Sequence, residues 1–275
     1  MKKTRIAAYI SALVLVLFMV SPVIYMAADS VMSTEEIVQS YQVSEDSFMK
    51  LHLVPRHFSL EQYYQAFFKQ PEFLKMFWNS MLYAVPMVAG QVCVSVLAAY
   101  AFSKINFPGR DKLFFVCIIL LLLPLQVTIV PNYIILNKLN LLNTRMALIA
   151  PGMFSAFGVC LLRQSMKFIP DDTLESARID GAGELRILFK IVLPQAKGGL
   201  AAIVLLSFIE YWNMVEQPLV YLKDHTKYPL SLYLATINEN KLGISFACGV
   251  IFMIPVVLLY AYLYQDFIKS MFQEE

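Results

Sequence analysis

Charge is scarce in this chain. Asp, Glu, Lys and Arg make up 15% of its 275 residues, against roughly 25% in a typical soluble domain. With 59% hydrophobic residues and a mean hydropathy of +0.61, the composition belongs to a polytopic membrane protein and not to a soluble core. A net charge of +2 is too small to point to nucleic acid. Only three histidines occur, His52, His57 and His225, all between the apolar runs. No metal-ligand set or catalytic constellation is therefore visible, and an intramembrane enzyme would lack its nucleophile and base. The four cysteines, Cys93, Cys117, Cys160 and Cys248, lie inside apolar runs without metal-ligand spacing. They read as buried free thiols and give no disulfide framework. No G-x-x-x-x-G-K-[ST] phosphate loop is present, so the chain is not expected to hydrolyse ATP itself. Inverted repeats are also missing, which weakens the case for an ion-coupled secondary transporter. The residues call for no cofactor.

What is present is a series of long apolar segments. Six can span: 6–28, 76–103, 113–136, 146–162, 198–222 and 244–265. Lipid offers no hydrogen-bond partners, so each is expected to be helical, giving an all-α fold with one transmembrane domain over 1–275. The first apolar stretch is longer than the 7–15 residues of a signal-peptide core, and it follows Lys2, Lys3 and Arg5. It reads as an uncleaved transmembrane helix. Prolines 22, 86, 124, 131, 151 and 255 fall inside spans, where a bundle tolerates them.

Lys and Arg set the orientation. With the N-terminus inside, cytoplasmic segments hold thirteen and outer loops nine, the latter spread over more residues. The positive-inside rule then puts both termini in the cytoplasm. The outer loop 29–75 contains Phe58 to Phe68, with Ser59 placed to cap a short aromatic helix. That helix reads as packing on the bundle mouth or as a contact for an external partner. The same loop carries seven acidic against four basic residues, which argues against a polyanionic substrate.

The cytoplasmic loop 163–197 is the most informative segment. Asp172-Thr173-Leu174-Glu175 fits a capping box. The helix it opens should run to about Asp180 and end at Gly181 in a left-handed conformation. A second helical pattern, from about Gly183 to Leu193, places Leu185, Leu188, Ile191 and Val192 at helical spacing, and Pro194 is expected to stop it. Physics alone leaves two readings open: a rigid knob seated on a moving cytoplasmic protein, or an amphipathic pair resting on lipid.

This segment resembles the EAA motif of ABC-importer permeases. Glu175, Ala177, Asp180, Gly181, Ala182, Ile191, Leu193 and Pro194 are in register, and Ser176 stands where the family usually has Ala. Phe77-Trp78-Asn79-Ser80, Ala98 to Ser103, Trp212-Asn213 and Pro218-Leu219 extend the resemblance to the carbohydrate, maltose-type branch. The resemblance implies a bacterial or archaeal inner-membrane subunit that forms half of a sugar pathway. It implies as partners a second homologous permease, two ATPase subunits and an extracytoplasmic solute-binding protein. Glu175 through Ala182, with Ile191, Leu193 and Pro194, would be the ATPase-coupling residues. Within the fifth span, Glu210, Asn213 and Glu216 recur every third residue beside Tyr211 and Trp212. Ionisable groups in a span face a cavity or a partner. The cluster is a candidate sugar pathway; the alternative reading is packing, with Glu210 or Glu216 paired to a basic or amide group on the partner permease or lying near the outer rim. Asn79, Gln91 and Gln126 read as helix-to-helix glue.

Overall fold

The computed structural model describes residues 2–41, 55–236 and 242–272. His52 lies outside them, as do Glu45, Asp46, Lys50 and Lys241, which count among the loop charges above. The chain is α-helical; among the described residues the only β-pairing is one antiparallel bridge between Met32 and Phe58. It divides into two compact units, one of residues 1–75 and 233–254 and the other of residues 76–232 and 255–275.

The first unit opens with α1 (Lys2–Asp29), whose apolar residues from Tyr9 to Val20 are exposed all round, as lipid requires. Pro22 cannot bond the carbonyl four residues back, Phe18 O. The Ser21 hydroxyl donates to that oxygen instead, at 2.8 Å. The short helix α2 (Thr34–Tyr41) and helix α3 (Glu61–Tyr64), with a π turn over Gln65–Lys69, lie in the segment 29–75. Ser59 is not the cap residue itself, which is Leu60, but its Oγ accepts from Glu61 N–H at 3.2 Å. Glu36 braces this loop by accepting from the Arg56 amide at 2.9 Å.

The second unit contains most of α4 (Pro71–Lys104), followed by α5 (Arg110–Leu121), α6 (Leu125–Lys138), α7 (Met146–Gly152) and α8 (Ala156–Lys167). Next come α9 (Asp171–Ile179), α10 (Glu184–Ile187), a π turn over Leu188–Val192 and α11 (Leu193–Gln195). Then follow α12 (Lys197–Trp212) and α13 (Glu216–Tyr221); α14 (Leu230–Thr236) and α15 (Leu242–Phe272) each run across a boundary between the units. Four stretches are long and apolar enough to cross a membrane without a sharp bend, 9–29, 71–104, 146–167 and 242–265, although 146–167 is interrupted at residues 153–155, between α7 and α8. The count reaches six if each of two bent pairs is one span.

Those bends depart from the straight spans read in the sequence. The third segment is broken at Leu122–Pro124, with α5 and α6 at 104°. Pro124 drives the residue before it out of the helical region. The fifth segment does not continue to 222: helix α12 ends at Trp212, and Val215 (φ −128°, ψ −48°) lies outside helical geometry. Pro218 would leave Met214 O without a helical partner, and the Ser231 hydroxyl donates to that oxygen at 2.5 Å. Ser231→Ala strands a buried carbonyl and should lower stability by about 1–3 kcal/mol, measured by thermal unfolding of the purified subunit. The cysteines also differ from the reading. Cys248 is buried, but Cys93 is exposed and the other two are partly so, since a helix surrounded by lipid buries only the face it turns to its neighbours.

Close packing within this unit centres on Gly158. A Cβ there would come within 2.5 Å of Ser95 Oγ and 2.6 Å of Ile203 Cδ1, so α8 meets α4 and α12 through a missing side chain. Nearby, the Tyr211 hydroxyl sits 2.5 Å from Gln91 Oε1 and 2.7 Å from Gly152 O.

Candidate functional site

The loop 163–197 folds as a helix, a tight turn and a second, irregular helix. Helix α9 starts two residues before the capping box would place it. Pro170 (φ −61°, ψ 136°) occupies the cap position and no side chain caps the helix. Asp171 and Asp172 instead fall in the first turn, where the helix dipole favours negative charge. Leu174 is buried and anchors α9 in a cluster with Val96, Ala99, Leu162, Met166 and Ile187.

At its other end, α9 closes in a Schellman turn. The Gly181 amide bonds Arg178 O and the Ala182 amide bonds Ala177 O, both at 3.0 Å. Gly181 takes φ +80°. A Cβ built there would meet nothing within 4 Å. The glycine therefore answers a backbone requirement and not a lack of space.

After the turn the chain runs through α10, the π turn and α11 without stopping at Pro194. A proline ring in a regular α-helix clashes with the carbonyl four residues back, here that of Lys190. The widened π turn over Leu188–Val192 lets the helix pass Pro194 and end at Ala196 (φ −91°, ψ 18°). From there α12 departs at 81°. The inner face of this segment is Ile187, Leu188 and Val192, all buried, with Ile191 and Leu193 partly so. Leu185, read as part of the apolar face, points outward and is 65% exposed.

The candidate coupling residues fall together on this hinge. Glu175, Ser176, Asp180, Gly181 and Pro194 are exposed, while Ala177 and Ala182 are half-buried and close the turn. Ser176, in place of the usual Ala, is absorbed locally, its hydroxyl donating to Asp172 O at 2.9 Å. Two exposed apolar residues escaped the sequence reading: Ile179 is 86% exposed and Phe189 59%. With Leu185 they give the hinge an apolar outer surface. The signal was an apolar residue just before the Asp-Gly turn.

Polar contacts fix the angle of the hinge. Glu184 accepts from Arg178 Nε at 2.8 Å, across the turn, and from the Tyr100 hydroxyl on α4. Hydrogen bonds from Arg178 and then Tyr100 hold the Glu184 carboxyl below the usual glutamate range. A lowered value favours the charged form, so the contact is complete at neutral pH and is lost only as pH falls through that lowered value. Lys104 Nζ donates to Ile169 O at 2.5 Å and to Asp171 Oδ1 at 2.7 Å.

The polar cluster of the fifth segment is arranged differently from its every-third-residue spacing. The break at residues 213–215 separates Glu210, at the end of α12, from Glu216, at the start of α13. Both residues reach the surface, and Glu216 accepts from Gln126 Nε2 at 3.2 Å. Asn213 caps α12, its Nδ2 donating to Ile209 O at 2.8 Å. Trp212 does not join them. It is fully buried, stacked on Phe208 at 5.4 Å and edge-on to Phe77 at 5.7 Å. Asn79 ties α4 to the segment after α13, donating to Thr226 O at 2.9 Å.

The described residues make an all-α chain with four to six candidate membrane spans, and comparison with known proteins supplies the class. The family of binding-protein-dependent transport system inner membrane components matches residues 91–273, and the chain belongs to it. A probable ABC transporter permease of Pyrococcus horikoshii is 34% identical, covering 80% of this chain and 82% of its own. An arabinooligosaccharides transport system permease of Halalkalibacterium halodurans is 30% identical, covering 79% of each. The sn-glycerol-3-phosphate transport system permease of Yersinia pestis is 40% identical over 149 residues. Here the match spans about half of each protein, 54% of this chain and 53% of the relative. The crystal structure of a bacterial ABC transporter involved in the import of the acidic polysaccharide alginate contains a chain with TM-score 0.80 and 26% identity, covering 96% of this one and 98% of that one. A chain from a second alginate transporter structure shares the fold at TM-score 0.65 and 12% identity. The relatives are permease subunits and not enzymes.

Proposed function

We propose that this protein is one of two permease subunits of an ATP-driven importer for an uncharged sugar or oligosaccharide. The observation that carries the proposal is the hinge at Gly181, rigid within and apolar without through Ile179, Leu185 and Phe189. An exposed apolar surface of this kind needs a partner. Its shape suits a cleft on an ATPase subunit, with Glu175 to Ala182, Ile191, Leu193 and Pro194 as coupling contacts. ATP would be hydrolysed on that partner. The Lys and Arg balance supports a cytoplasmic loop 163–197 and cytoplasmic termini.

The relatives named above serve arabinooligosaccharides, sn-glycerol-3-phosphate and alginate, so ancestry alone leaves the substrate's charge open. Local chemistry favours an uncharged one. Glu210 and Glu216 are the ionisable groups at the broken fifth segment, and after Lys197 neither α12 nor α13 carries a Lys or Arg. Two carboxylates would repel an anion, whereas carboxylates and the Asn213 amide hydrogen-bond sugar hydroxyls well. An extracytoplasmic binding protein would deliver the substrate.

The test is gentle extraction of the tagged protein from its native membrane and identification of what accompanies it. An ATPase and one related permease are the expected companions. A homo-oligomer without an ATPase would overturn the reading and leave the loop as an amphipathic pair on lipid. Competition of uptake by neutral and anionic oligosaccharides then checks the substrate class.

A further inference from the structure

Helix α4 grips the loop on both sides of its hinge. Tyr100 and Lys104 are four residues apart and share one face of that helix. Lys104 holds the entry to α9 through Ile169 O and Asp171. Its side chain is 3% exposed, so this bond is made away from solvent screening on the lysine side. Tyr100 holds the start of α10 through Glu184, which itself reaches back to Arg178. Beneath these bonds, Val96, Ala99 and Tyr100 pack in the same cluster as Leu174, Ile187 and Leu188. By contrast, the covalent exit from the loop into α12 is the 81° bend at Ala196, a residue outside helical geometry.

The far end of the same helix holds a second polar attachment. Asn79 donates to Thr226 O at 2.9 Å and to Tyr228 O at 3.1 Å. The Tyr83 hydroxyl donates to Lys227 O at 2.8 Å, and Ser80 Oγ accepts from Leu230 N–H at 2.8 Å. Residues 226–230 are the continuation of the chain past the broken fifth segment. Tyr83 and Tyr100 are separated by roughly 26 Å of helix at 1.5 Å per residue. α4 is continuous between them, with Pro86 inside it.

We propose that α4 is the rod through which movement of the loop reaches the outer end of the pathway, with Tyr100 and Lys104 as positioning residues at one end and Asn79 and Tyr83 at the other. This rests on the importer reading above. The loop is hydrogen-bonded to α4 on both flanks of Gly181, whereas it meets α12 through the bend and through apolar packing against Leu200 and Ile203. Displacement of the hinge by a partner therefore pulls on α4 through directional bonds, which apolar packing does not supply. At the outer end α4 carries 226–230 with it, and a short connection, 222–225, joins those residues to α13, where Glu216 sits.

The test uses the assembled importer, with both permeases and the ATPases, in proteoliposomes supplied with the substrate-loaded binding protein. Uptake and ATP hydrolysis are measured in the same vesicles. Tyr100→Phe removes one hydroxyl and keeps the ring in its apolar cluster. ATP hydrolysis should stay within about twofold while substrate taken up per ATP falls at least fivefold. Tyr83→Phe, at the far end and remote from any ATPase, should give the same split. A purely structural role would lower both quantities together through loss of assembled complex, which size-exclusion chromatography reads separately. Proportional loss of uptake and hydrolysis, or unchanged coupling in both variants, would overturn the inference. A wild-type complex that contains no ATPase would instead overturn the importer reading on which it rests.

Discussion

Gly181→Val should reduce uptake more than tenfold while the protein remains folded in the membrane. The position has φ +80°. A left-handed backbone costs roughly 1–2 kcal/mol for an ordinary L-residue, and more for a β-branched one. Space is not the obstacle, because nothing lies within 4 Å of the added Cβ. The chain escapes the strain by rotating out of the left-handed region. That rotation breaks the amide bonds of Gly181 and Ala182 to α9 and swings Glu184 away from Arg178. The loop would then present Ile179, Leu185 and Phe189 at the wrong angle. Gly181→Asn tolerates positive φ better and should retain uptake within a few-fold. Uptake in proteoliposomes, normalised to assembled complex, measures both. Valine performing like wild type would mean that the hinge angle is irrelevant to transport.

Trp212→Ala should be the most destabilising single change in the fifth segment. The indole is fully buried between Phe208 and Phe77. Its removal leaves a cavity and should cost about 3–5 kcal/mol. For a chain of this size that corresponds to a fall in Tm of about 10 °C. Trp212→Phe keeps most of the ring contact and should recover more than half of the loss. Thermal unfolding in detergent checks the series. The sequence reading placed Trp212 beside a sugar, and the two roles separate cleanly. A residue touching substrate would change the KM for uptake in the phenylalanine variant and leave Tm alone. A core residue does the reverse.

The long apolar runs and the glycine turn were legible because each is written locally. Lipid demands about 20 apolar residues in a row, and the Asp-Gly-Ala sequence announces a left-handed helix end to anyone counting from Leu174. The breaks were not legible for an equally physical reason. A proline inside an apolar run is compatible with a straight, kinked or broken span, and the choice depends on what satisfies the carbonyl it frees. For Met214 that group is Ser231, on another element. The Tyr100–Glu184 contact joins residues 84 apart and leaves no periodic trace. The polar neighbours at 210, 213 and 216 masked the burial of Trp212 against Phe208. Its spacing of four from Phe208 was the better guide to the face it shares. Pro194 was read as a stop because the wider turn that accommodates it has no signature of its own.

The two serines that satisfy freed carbonyls also set an order of events during synthesis. Ser21 precedes Pro22 and closes Phe18 O within the same turn, so the first helix carries its own repair. It can leave the ribosome and enter the bilayer without waiting for a neighbour. Met214 has no such provision, because its partner Ser231 is 17 residues further on. Until that stretch has been made, the break in the fifth segment exposes a bare carbonyl, which hydrocarbon does not tolerate. Until then water or another protein has to cover that carbonyl.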